Sequence, residues 1–145
     1  MIRKVVIGLV ASMFIGGALP VVAGDKPVLS VVTLPVVSSH VEDRQVIAHG
    51  YISSSENHGG FQVWLDAASL ANEPDRYVIT GKYDRQHELR IFIGRDGWNP
   101  VKGGRGIVML TGNTQAVFDV MADGAQDVSG DEYSVVIHAS YYEQQ

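Results

Sequence analysis

The chain has 145 residues, with 11 lysines and arginines against 16 aspartates and glutamates, a formal charge of −5 and no cysteine. That acidic balance excludes nucleic acid and anionic lipid as main partners, and the missing cysteines exclude a disulfide brace. Stability must come from packing, from strand pairing or from a partner.

In chain order, MIRK is followed by the apolar run VVIGLVASMFIGGAL and then by VVAG, the charged, greasy and small-residue parts of a secretory leader. We expect residues 1–23 to be removed after Ala23 and residues 24–145 to form one exported domain. The apolar run is shorter than the roughly 20 residues of a bilayer span. Arg3 and Lys4 belong to the leader, so nine basic residues face 16 acidic ones in the remainder.

Short runs rich in Val, Ile, Tyr and Phe follow, with apolar and polar residues alternating, which is the pattern of half-buried strands. Strands are expected at 28–37 (VLSVVTLPVV), 45–53, 60–66, 76–82, 87–93, 115–121 and 132–141. The piece DAASLANEP reads as one or two helical turns ending at Pro74, because proline cannot continue a helix. Alternation points Phe61, Val63 and Leu65 inward, as it does Leu89, Ile91 and Ile93, then Ala116, Phe118 and Val120, and finally Tyr133, Val135 and Ile137. Seven short strands, each with one apolar face, make an all-β sandwich of two sheets.

The segment DVSGDEYSVVI, residues 127–137, resembles the tyrosine corner of immunoglobulin-like sandwiches, with Tyr133 near the start of strand F. A turn and a strand G would need roughly 15–20 further residues. Only YEQQ follows Tyr141. The expected fold is therefore an incomplete immunoglobulin-like β-sandwich with strand G missing, whose open edge another strand must cover. The alternative is that Tyr133 is an ordinary core tyrosine and the sandwich is complete, a self-contained secreted domain that binds a small ligand or glycan.

Several chemistries find no support. The glycine-rich GRDGWNPVKGGRG, residues 94–106, has neither the phosphate-cradle nor the dinucleotide spacing. HELRI has Ile91 where a zinc-binding helix needs its second histidine. The histidines at 40, 49, 58, 87 and 138 show no ligand spacing. Asp119, Asp123, Asp127 and Asp131 recur every four residues but read as turn residues rather than a calcium loop. We expect no cofactor, no metal site and no enzymatic activity.

The ordered strings GFQVWLD, RYVITGK, RQHELRI, GRDGWNPVKG and VFDVMADGAQDVSGDEY resemble the invasin or tip subunits of Afa/Dr-type fimbriae, over a span from about Gly50 to Tyr133. That resemblance implies donor-strand complementation, in which a missing strand is supplied first by a periplasmic chaperone and then, after transfer at an outer-membrane usher, by the major fimbrial subunit. It implies an acceptor groove near Val31, Leu34, Val135 and Ile137, and a place on a surface fimbrium. It also implies attachment to a host cell-surface receptor, with integrins among the receptors proposed for the type, although residues 95–97 read RDG and not RGD.

Members of the type carry a cysteine pair. Ser54 and Ser140 stand about where the resemblance places it, so nothing covalent staples this domain. Host-contact candidates are Arg95, Asp96, Trp98 and Lys102, because an aromatic beside charges on a rigid loop is a common hot-spot pattern. The alternative for Trp98 is a lid over the end of the sandwich. Position in the fibre turns on VLSVVTLPVV: as strand A it leaves a subunit that accepts a strand but donates none, whereas as a donor it makes an internal subunit.

Overall fold

Each expected strand forms, because alternation gives it one face to bury. The structure is a computed structural model that describes residues 6–11, 26–36, 38–70 and 72–143. Its elements are β1 (Val6–Ala11), β2 (Val28–Thr33), β3 (His40–Val41), β4 (Val46–Ser53), β5 (Gly60–Leu65), β6 (Ala68–Leu70) and β7 (Glu73–Thr80). There follow β8 (Glu88–Gly94), β9 (Asn99–Pro100), β10 (Ile107–Leu110), β11 (Gln115–Ala122), β12 (Gln126–Asp127) and β13 (Glu132–Tyr141). No helix is present among the described residues.

Two sheets carry the fold. One runs β2-β4-β11-β8-β7-β6 and the other β1-β13-β5-β10-β9, while β12 and β3 form a separate short pair. Every pairing is antiparallel except β1 with β13. The inward residues of both sheets merge into one core that includes Leu29, Phe61, Val63, Ile91, Phe118, Tyr133 and Ile137. Phe118 fits because Gly50, opposite it on β4, has no side chain: a Cβ there would lie 2.1 Å from the ring.

The expected elements are corrected in three places. DAASLANEP is not helical: Ala68–Leu70 is a strand that turns back onto β7, with Asn72 at φ 62 in the turn. Asparagine tolerates that left-handed conformation, and cross-strand pairing outweighs the weak local preference for helix. The stretch after GRDGWNPVKGGRG contains β10, which pairs with β5 through Ile107↔Val63. VLSVVTLPVV stops as a strand at Thr33 and is paired along its length with β4, from Val28↔Ser53 to Thr33↔Ala48.

The corner before β13 is closed by two polar side chains. The Tyr133 hydroxyl donates to the Ser129 carbonyl at 2.6 Å from a fully buried ring. Burial, helped by the Asp131 and Asp84 carboxylates, pushes its phenol up to about 12, so it stays a donor. Beside it, buried Asp131 accepts from the backbone N–H groups of Tyr83, Asp84 and Glu132, and its Oδ2 lies 3.0 Å from Nδ1 of His87.

Candidate functional site

Two places on this scaffold are candidates for contact. The first is the edge of β13 that β1 covers. On one side, Ile137–Tyr141 pair with β5. On the other, Glu132–Ile137 pair in parallel with β1, in the register Val6↔Glu132 to Ala11↔Ile137. Val135 and Ile137 point into the core at 3% and 0% exposure. Across β1 stands β2, where Val31 packs half-buried against the core and the Leu34 N–H donates to Ile47 at 2.8 Å. The four groove candidates thus lie on β13 and along or just beyond β2, the two strands that flank β1.

The second place is a cleft of about 480 Å³ on the outer face of β8 and β11. Phe92, Gly94, Trp98 and Met121 are among its lining, and apart from Gly94's own chain neighbours no atom stands within 4 Å of where a Cβ on Gly94 would be. Arg44 and Arg76 lie over the Phe92 ring at 5.6 and 5.0 Å, within the range of cation–π attraction. Arg76 is held by Asp123. Arg95 lies 3.5 Å from Asp119, which also meets Nδ1 of His49 at 2.6 Å. Asp75 lines the rim, and its Oδ1 is buried without a hydrogen-bond partner among the described residues.

The host-contact candidates divide here. Arg95 and Asp96 are exposed and line the cleft, whereas Lys102 is exposed but outside it. Trp98 is corrected: only 8% exposed, it donates its indole N–H to the Val117 carbonyl at 2.8 Å and sets its ring edge-on to Phe118. It is a lid whose one polar atom is satisfied by its own fold, so it leaves little surface for a receptor. The serines are corrected as well. Ser54 meets Tyr141 hydroxyl to hydroxyl, while Ser140, one residue earlier on β13, falls on the opposite face and registers with Gln62.

Sequence reasoning missed how the acids are used. Asp119, Asp123 and Asp131 find cations or N–H groups on other strands, and Asp127 meets His40. It missed Arg44, Asp75 and Phe92 entirely, since residues 44, 75 and 92 converge only through the β4–β11–β8–β7 pairing. Trp64 was equally hidden as a surface element, stacked with His138 and capped by Arg105 at 3.9 Å.

A family model described as "AfaD: Enterobacteria AfaD invasin protein" matches residues 37–139. "Protein AfaD" of Escherichia coli is 42% identical over 97 residues, covering 66% of this chain and 65% of that protein. "Protein AggB" of Escherichia coli is 31% identical over 111 residues, 75% of this chain and 76% of that one. The chain therefore spans slightly less than two thirds of AfaD. Among solved structures, the E. coli Hda pilus minor tip subunit HdaB superposes with a TM-score of 0.79 at 24% identity, over 84% of this chain and 86% of that chain. The Salmonella SafD adhesin superposes at 0.78 with 29% identity, over 82% and 86%.

Proposed function

Because the chain belongs to the AfaD invasin family, we propose that it is a non-enzymatic fimbrial tip subunit, an adhesin of the invasin type that accepts a donor strand along β13 and attaches the cell to host surfaces. The observation that carries this reading is β1, an apolar strand zipped in parallel onto Glu132–Ile137. Its residues belong to the stretch that reads as a removable leader. With residues 1–23 gone, the outer N–H and C=O groups of β13 would lie open beside an apolar groove, the situation that strand addition relieves.

A periplasmic chaperone, transfer at an outer-membrane usher and a major fimbrial subunit supply the strand in this reading, and the product is a surface fimbrium. Tip position draws support from β2, which is committed to its own sheet and is not free to complement a neighbour. It draws further support from HdaB and SafD, which are described as a minor tip subunit and an adhesin. The host receptor is met by the exposed cleft, to whose wall Trp98 adds only the small surface that its packing leaves. An integrin gains nothing from the RDG of residues 95–97.

The test is to express residues 24–145 alone and again with a donor-like apolar strand fused through a flexible linker at the C-terminus. The fused protein should unfold sharply as a monomer, and the unfused one should aggregate or unfold broadly. A stable, sharply unfolding monomer without the fusion would overturn the reading.

A further inference from the structure

We infer that the cleft over Phe92 and Gly94 is a sugar-binding site that takes a neutral hexose unit of a host-surface glycan; this deepens the adhesin reading and rests on it. Its volume, about 480 Å³, falls within the roughly 300–1,000 Å³ of small-ligand clefts. Three arginines (44, 76 and 95) and three aspartates (75, 96 and 119) line it. The balance of charge gives no net preference to an anion or a cation.

What the lining leaves unsatisfied is specific. Asp75 Oδ1 is buried and has no donor among the described residues, which is costly unless something supplies one. Arg44 has no carboxylate within 4.0 Å among the described residues, in contrast to Arg76 and Arg95. One side thus asks for a donor and the other for an acceptor. A hydroxyl is both at once, and the several hydroxyls of a hexose can meet both demands around one ring.

The backbone argues the same way. Arg44 sits at φ 65, a left-handed conformation that costs an L residue energy and that glycine adopts freely. A long cationic side chain held there over Phe92 is strain kept beside a site. Gly94 in the cleft lining supplies open space into which any side chain would reach.

The experiment titrates the full chain, isotope-labelled, with the methyl glycosides of galactose, glucose, mannose and N-acetylglucosamine, and with 3′-sialyllactose and a heparin disaccharide as charged probes. Saturable shifts of the Trp98 indole N–H and the Phe92 and Gly94 amides by one neutral glycoside are expected. Gly94→Val should abolish them by filling the cleft without a clash. Arg44→Gly should raise the unfolding temperature by relieving the backbone, yet weaken binding by roughly tenfold or more, as for a lost charged hydrogen bond.

No shift with any neutral glycoside, or unchanged binding in both variants, would overturn the inference. So would tenfold tighter binding of either charged probe, which would assign the cleft to acidic sugars instead. Capture of a donor strand on β13 is scored separately, so a failed titration with intact capture removes the sugar site and leaves the subunit role standing.

Discussion

The hydroxyl of Tyr133 donates to the carbonyl of Ser129, four residues back, at 2.6 Å. This bond locks the turn that launches β13, the strand whose outer edge β1 covers. Tyr133→Phe keeps the ring and leaves a buried carbonyl without its donor, which should cost about 1–3 kcal/mol. Urea unfolding should show a lower midpoint at unchanged m-value; an unaltered midpoint would mean that the corner is not held by this bond.

Acid should act through Asp131. Burial alone would raise its carboxyl, but the N–H groups of Tyr83 and Glu132, the His87 ring and the Asp84 N–H outweigh burial and hold it at about 2, below the ordinary 3.8. A depressed carboxylate contributes stability that is present above the unfolded value and lost as pH falls through the folded one. The loss should therefore run from about pH 4 to about pH 2, and Asp131→Asn should flatten that limb of a stability-against-pH curve. A limb unchanged in the variant would assign acid sensitivity elsewhere.

Removal of the lid should be felt in stability. Trp98→Ala empties the space against Phe118 and orphans the Val117 carbonyl, for a cost of about 3–5 kcal/mol. Calorimetry on a donor-fused domain reads it. A variant that unfolds at the parent temperature would return Trp98 to the list of surface contacts.

Gly106 is the glycine of its loop that cannot be replaced. It sits at φ 72, and a Cβ would come within 1.8 Å of the Val63 carbonyl. Gly106→Ala should push β10 off β5, with a loss exceeding about 1 kcal/mol and faster hydrogen exchange at the Ile107 and Met109 amides. Gly103→Ala carries a positive φ without a clash and should cost less.

Much of the scaffold was legible because strand alternation is a local property. The inward set Phe61, Val63, Leu65, Phe118, Val120, Val135 and Ile137 is buried, since a pleated strand with one apolar face has one sensible orientation. Tyr133 was legible because its partner lies four residues away. The short strands β6 and β10 were not: Ala68–Leu70 lacks β-branched residues, and Ile107–Leu110 follows a glycine-rich loop with no alternating neighbour to extend it. Arg44, Asp75 and Phe92 left no trace, since no spacing in the chain relates positions so far apart.

By itself, then, the sequence determined an all-β, cysteine-free domain and its family strings, because composition and period-2 patterning are readable within a few residues. Only the tertiary structure decided that Trp98 turns inward, that Ser54 meets Tyr141 rather than Ser140, and that the edge of β13 accepts a parallel strand. Each of those is a choice of partner between distant segments, made by sheet register and by the need to pair buried polar groups.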